Sequence, residues 1–397
     1  VACVATPGSF WRVCYDAVQE GYVNSGVLYA GVDIGAGSGA KIGLFRDDLS
    51  LVSESLLGVN GYGEDAGSLV AGLRSRLEEM AASVAGNQPG LGGAGIVGPG
   101  VFLADGTIAR AANLEFLTGV NLGRLIEEQL QIPAACMNDA DAGALAEWRY
   151  HGTELVYWVL GGGWGGAWVT EDGRVRFAQH AWSGYDKDIY PSNEPGYVLP
   201  LEKKWLGAVF EQAGISFSAF LNLVLRENGA GSGQILGPNK DPATVRAETV
   251  VSGSGRWLIM RTLVTERGEL REGLTEGDLE DLDGPETAGR TIRKVEKAGL
   301  PLLEATDRLF GQVFAEAGGR LLERLAGDGL DAETPIFLAG KPARGFFSYG
   351  PIVQEHMRER GIRNSLLLSE LQQRDMNPNL AGAAYLARKA AYNRKQA

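Results

Sequence analysis

The chain has 397 residues with 57 glycines, 3 histidines and 3 cysteines, and a formal net charge of −12. Glycine is at roughly twice its usual frequency of about 7%, yet a 45% hydrophobic content excludes a disordered chain and no G-X-Y period makes it collagenous. Cys3, Cys14 and Cys136 form no close pair, and His151, His180 and His356 give no metal-ligand spacing, so a disulfide framework and a structural zinc site are excluded; a pI near 5.0 argues against nucleic acid or an anionic membrane as partner.

The length suits two domains of roughly 150 residues each, with room for a large core. No apolar run reaches the roughly 18 residues of a membrane span. Residues 1–24 lack a basic start followed by an apolar block and a small-residue cleavage site, so no secretory signal is expected and the compartment reads as cytoplasmic. Residues 1–26 are read as an extension of unknown role. Residues 27–33 (VLYAGVD) then predict a strand ending in an acid. A glycine loop follows at 34–40, and 41–45 and 49–57 read as further strands about the turn Arg46-Asp47-Asp48. Leu69, Leu73, Leu77 and Met80 have helical spacing within 65–85. Residues 94–97 predict a buried strand stopped by Gly98-Pro99-Gly100, and 121–130 and 140–150 predict helices.

The opening pattern then returns. Residues 156–160 (VYWVL), the loop 161–166 (GGGWGG), 167–170, the turn Glu171-Asp172-Gly173 and 174–177 repeat strand, glycine loop, strand, acidic turn, strand. Two copies at the heads of two halves imply a duplicated α/β domain whose glycine loops face each other. Helical stretches follow at 201–212 and 217–226, then a glycine-rich break at 229–237. The acid-rich run 266–286 reads as a solvated insertion, since its spacing fits no calcium loop. A long helical region is predicted at 288–325, a buried strand at 335–339 running into Gly340-Lys341, and a small-residue helix at 379–392.

Several segments match one family together. They are Asp33-Ile34-Gly35-Ala36-Gly37, Gly98-Pro99-Gly100, Ala112-Asn113-Leu114, Asn138-Asp139-Ala140-Asp141 with Ala144 and Glu147, residues 160–166, residues 337–340, and Ala381-Gly382-Ala383-Ala384. In this order they resemble the ROK group (repressors, open reading frames and sugar kinases) of the actin and hexokinase superfamily, over roughly 27–390. The resemblance implies two ribonuclease-H-like α/β domains with a cleft between them. They would comprise 27–150, with the helix 381–397 packing back onto it, and 151–380. It further implies a glucokinase-like, ATP- and Mg2+-dependent sugar kinase with a small-molecule sugar as partner, and leaves a homodimer open.

Transfer of a γ-phosphoryl group needs a proton acceptor, donors around the phosphates, and magnesium. Asp139 is the candidate base on the resemblance, although alone it reads more readily as a helix cap. Capping would lower its pKa. Asn113 and Asn138 are the candidate sugar-hydroxyl readers, each offering a donor and an acceptor. Gly35, Gly37, Ser38 and Lys41 are expected at the phosphates, with Gly161, Gly162, Gly163 and Gly165 as a second phosphate loop. Gly340 and Lys341 are expected near the adenosine, and Asp33 is expected to hold Mg2+ through water. The family's threonine is Gly162 here, and Trp164 replaces a smaller aliphatic residue. The family's Gly-Glu-x-Gly-His, whose Glu and His read the sugar, is sought at 178–186, where no Glu matches and His180 and Asp186 are the candidate substitutes. Leu201-Glu202-Lys203 resembles the Leu-Glu segment that follows it. A non-catalytic sugar sensor on the same fold, and a donor such as polyphosphate, stand as alternatives.

Overall fold

The computed structural model describes residues 26–35, 39–84, 90–103, 105–111, 114–176, 194–227, 237, 241–284 and 287–396. Residues 1–25, Gly37, Ser38, Asn113 and the segment 178–186 with His180 and Asp186 lie outside them, as does most of the glycine-rich break.

The first half opens with β1 (Leu28–Gly35), buried along nearly its whole length as an apolar run should be in the middle of a covered sheet. β2 (Gly39–Phe45) and β3 (Leu51–Leu57) continue antiparallel, and the register sets Lys41 opposite Asp33. α1 (Ala66–Val84) buries Leu69, Val70, Leu73, Leu77 and Met80. β4 (Leu91–Gly98) returns parallel to β1; β5 (Val101–Phe102) and β6 (Ile108–Arg110) form a small hairpin beyond it. α2 (Leu122–Leu130) is capped by Asn121. β7 (Ala134–Asn138) lies parallel to β4 and runs without a loop into α3 (Asp139–His151). The sheet order is β3-β2-β1-β4-β7.

The second half repeats this plan. β8 (Leu155–Leu160), β9 (Trp164–Val169) and β10 (Val175–Arg176) form the second meander. Next come α4 (Pro195–Val198), β11 (Pro200–Glu202), α5 (Lys203–Gln212), α6 (Phe217–Glu227), β12 (Thr244–Arg246) and α7 (Gly253–Glu266). α8 (Glu276–Asp281), α9 (Ala288–Ala298) and α10 (Pro301–Gly327) lead into β13 (Ile336–Ala339). α11 (Phe346–Glu359), β14 (Leu366–Leu368), α12 (Glu370–Gln373) and α13 (Pro378–Gln396) end the described chain. The second sheet runs β10-β9-β8-β13-β14, with antiparallel pairs in the meander and parallel pairs beyond it. Both sheets therefore have one topology, as the repeated pattern implied.

Three expectations change. The run 266–286 is not merely a solvated loop: it holds a 3-10 turn at Gly268–Arg271 and α8, whose Thr275 and Asp278 form a capping box, and it buries Leu270 and Leu282. The helical region 288–325 is two helices. The break falls at Gly299, which takes the left-handed conformation with φ 61°, and Pro301 then opens α10 at a position where its missing N–H costs nothing. α7 was not anticipated because it is buried on every side, so it shows no polar face and no amphipathic period.

Each half has its own apolar core, and a third cluster with Val97, Ala144, Tyr157, Phe337 and Ala383 joins the two. α13 lies across β1 and β4 at backbone contact. A Cβ at Gly31 would sit 2.7 Å from the Leu380 carbonyl oxygen, and one at Gly95 would collide with that of Ala383. Among the described residues no single helix is long and apolar enough to cross a membrane.

Candidate active site

Both sheets end their parallel strands at one cleft, the usual place for ligands in α/β sheets. On the first sheet the chemistry comes from the ends of β1 and β7. Asp33 is buried; its Oδ2 accepts from Lys41 Nζ (3.3 Å) and from Asn377 Nδ2 (3.1 Å), just before α13. Behind it the Tyr62 hydroxyl donates to the Gly35 carbonyl at 2.8 Å. Burial and the Asp33 charge push that phenol up to about 12, so it stays a neutral donor.

Asn138, not Asp139, is the cap of α3. Its Oδ1 accepts from the backbone N–H groups of Ala140 (2.9 Å) and Asp141 (3.2 Å), and its Nδ2 donates to the Gly100 carbonyl (2.9 Å). Its acceptor is thus committed to the fold, which limits the hydroxyl-reading role expected of it. Asp139 keeps one such bond, Oδ1 from Ala140 N–H at 2.9 Å. The lowered pKa expected from capping does not result. Burial first, and the nearby Asp33 charge second, outweigh the backbone bonds and Lys41 and push the Asp139 carboxyl up to about 6.

The opposing wall holds residues that the sequence reading misses. Burial, together with the charges of Asp139, Glu248 and Asp141, pushes the Glu194 carboxyl well above the usual range, which places all four in one electrostatic site. Burial also raises Glu248, against Arg246 and the Trp164 N–H, which pull it down. Glu248 packs so closely that a Cβ at Gly163 would lie 2.6 Å from its Oε2 and one at Gly196 2.8 Å from its Cβ. Tyr197 closes this wall. The Arg246 guanidinium lies 3.6 Å over its ring, and Arg110, from the first half, donates to its hydroxyl at 3.4 Å. Residues 194–197 read Glu-Pro-Gly-Tyr, a Glu-x-Gly with tyrosine in the histidine position. The signal lies just beyond 178–186 and is hidden by two differences, Asn193 for the leading glycine and Tyr197 for the histidine. Glu202, by contrast, is exposed on β11, and Glu248 occupies the site.

The glycine turn between β8 and β9 faces the same cleft. Its Gly161 N–H bonds the Gly163 carbonyl (2.9 Å), and the Gly161 carbonyl accepts from Gly253 N–H at the start of α7 (2.9 Å). A Cβ at Gly161 or Gly162 would meet nothing within 4 Å. Packing does not demand glycine there, so the bare backbone leaves room for a ligand. Gly165 lies within β9 opposite Val159. Trp164 is buried in the core, edge-on to Trp158 at 5.2 Å, which makes it a packing residue. Gly340 ends β13 with φ 99° and backs directly onto the Leu160 carbonyl; Lys341 is exposed in the 3-10 turn that follows. Among the described residues no group of three or more His, Cys, Asp or Glu side chains could hold a metal ion.

The ROK family model matches residues 29–182. No curated protein matches the sequence. A ROK glucokinase from Streptomyces griseus, solved with glucose and AMPPNP, shares the fold at 18% identity and TM-score 0.60, over 91% of this chain and 99% of that one. A ROK hexokinase from Thermus thermophilus shares it at 18% identity and TM-score 0.55, over 92% and 99%. A ROK transcriptional regulator, a homologue of the E. coli MLC protein, does so at 18% identity and TM-score 0.63, over 93% of this chain and 80% of that one. Residues 29–182 thus match the ROK family model, and the chain as a whole shares its fold with kinases and a regulator of that family.

Proposed function

We propose that the protein phosphorylates a sugar or polyol hydroxyl with ATP. One observation carries this: a half-buried carboxyl, Asp139, raised to about 6, stands at a strand end between Asp33 and Glu194. A carboxylate tuned toward neutrality can take the hydroxyl proton as the hydroxyl attacks, where an ordinary surface carboxylate is too weak a base. Glu194, holding its proton further toward neutral pH than a free carboxyl, donates to a sugar oxygen. Glu248 accepts from a neighbouring hydroxyl, and Tyr197 packs against the ring. By the resemblance, Asn113 is proposed as a further hydroxyl reader.

The open glycine turn at 161–163 suits phosphate oxygens; by the resemblance Gly35, Gly37, Ser38 and Lys41 would serve the same phosphates, with Lys341 toward the adenosine. Mg2+ arriving with ATP would neutralise charge on the β- and γ-phosphates. Asp33 fits it through water, because the two side-chain bonds to Asp33 among the described residues both fall on Oδ2, and Oδ1 could meet the ion's hydration shell. Closure of the two halves would exclude water from the transferring group. A cytoplasmic setting, where ATP is supplied, belongs to the same reading.

The test is coupled ADP release over hexoses, amino sugars, inositols and heptoses, with wild type and Asp139→Ala side by side. The variant should lose at least about a thousandfold in turnover while folding normally; unchanged turnover refutes the assignment. The likeness to a ROK regulator favours one second reading, a non-catalytic sugar sensor, which would bind sugar without ATP turnover.

A further inference from the structure

Two groups in different halves are tied by one short segment. The Glu147 carboxylate, on α3 two turns beyond Asp139, is fully buried. Its Oε2 accepts from Ser369 Oγ at 2.8 Å, and its Oε1 accepts from the Glu370 N–H at 2.7 Å and lies 3.4 Å from His151 Nε2. Ser369 Oγ in turn accepts the Gln372 N–H at 3.1 Å, capping α12. A hydroxyl has one proton, and here it goes to Glu147, so the direction of the chain of bonds is fixed. The Gln372 side chain then clamps Gly340 on both sides. Gly340 N–H donates to its Oε1 at 2.7 Å, and its Nε2 donates to the Gly340 carbonyl at 3.0 Å. Gly340 backs onto the carbonyl of Leu160, the residue before the open glycine turn.

We propose that Glu147 and Gln372 are positioning residues that hold the nucleotide turns of the second half in register with the helix carrying Asp139. The proposal rests on the kinase reading for its kinetic form. A buried carboxylate is a costly way to pack α3 against α12, because it loses its hydration unless its lone pairs are filled. An apolar residue would pack there at less cost but could not orient Ser369 and Glu370. The lone pairs of Glu147 are filled from the segment that grips Gly340. Gln372 imitates a strand neighbour, giving Gly340 a side-chain partner for each backbone group. A slip of α12 therefore shifts Gly340, and with it the Leu160–Gly161 peptide that leads into the phosphate turn. Near-attack geometry tolerates little such movement.

The test compares wild type with Gln372→Ala, Ser369→Ala and the isosteric Glu147→Gln. Gln372→Ala should raise the KM for ATP about tenfold, as loss of two hydrogen bonds implies, with the KM for sugar unchanged and the unfolding midpoint close to wild type. Glu147→Gln should do the same and also lower kcat, since α3 itself is reseated. Amide hydrogen exchange supplies a readout independent of turnover. In Glu147→Gln, peptides covering 338–345 and 160–163 should exchange faster, although neither contains the mutated residue. Equal changes in both KM values, or exchange that quickens only in 369–373, overturn the proposal. A wild type that turns over no ATP sinks the kinase reading instead, and the exchange result still decides whether the tie exists.

Discussion

Replacing Asp139 by asparagine separates its chemistry from its cost to the fold. The folded-state carboxyl titrates near 6, against an ordinary value of 3.8. A carboxyl raised on folding binds its proton more tightly in the native state. Its burden on stability is therefore absent below about 3.8, grows between 3.8 and 6, and is complete above that. A shift of about two units corresponds to at most about 3 kcal/mol at neutral pH and roughly half that at pH 5. Asparagine keeps the acceptor for the Ala140 N–H and removes only the charge, so Asp139→Asn should stabilise the protein more at pH 8 than at pH 5, by about 1–1.5 kcal/mol. Urea unfolding of both proteins at the two pH values measures this. In the wild type, kcat/KM should fall as pH drops through about 6, because the base becomes protonated. An equal effect of the substitution at both pH values, or an acid limb below pH 5, refutes the assignment of a buried, charge-crowded base.

Other outcomes are equally specific. Gly340→Ala places a methyl group against the Leu160 carbonyl at a positive φ and should cost at least about 2 kcal/mol. Gly162→Ala should leave stability within about 0.5 kcal/mol but weaken nucleotide binding, and the pair are compared by thermal unfolding and titration. Arg256 donates to Asp307 (2.8 Å) and Glu296 (2.9 Å) inside the second half, and Arg256→Met should cost about 3–5 kcal/mol in urea because Asp307 is left buried without its cation. Glu248→Gln should raise the KM for sugar and leave that for ATP alone; the reverse pattern would move Glu248 out of the sugar site.

The sequence disclosed those parts of the fold whose burial leaves a period. The two meanders, with their apolar central strands and glycine turns, were legible, and so was the place of Asp139 at the junction of β7 and α3. α7 was not, because a helix buried all round has no polar face to mark it. Glu194 and Glu248 were missed for another reason. Fifty-four residues apart in number, they meet only when α4 and the turn after β12 fold against the β8–β9 hairpin. Two differences, asparagine for the leading glycine and tyrosine for the histidine, broke the motif that would have named the first of them. The Asp139 pKa was misjudged because the cap bond is local and readable, whereas burial and Asp33 act through the tertiary structure.

The helix α13 sets an order on the birth of the molecule. It covers Gly31 and Gly95, yet about 280 residues separate the end of β4 at Gly98 from its start at Pro378. A ribosome therefore releases the first sheet, base and all, long before the helix that seals its floor exists. Until then a bare strip of glycine backbone faces solvent, a surface of the kind on which nascent chains aggregate or chaperones settle. Closure of the first half thus waits on α13, and a chain cut short before 377 would carry Asp33 and Asp139 on an unsealed sheet, without the Asn377 contact that steadies Asp33.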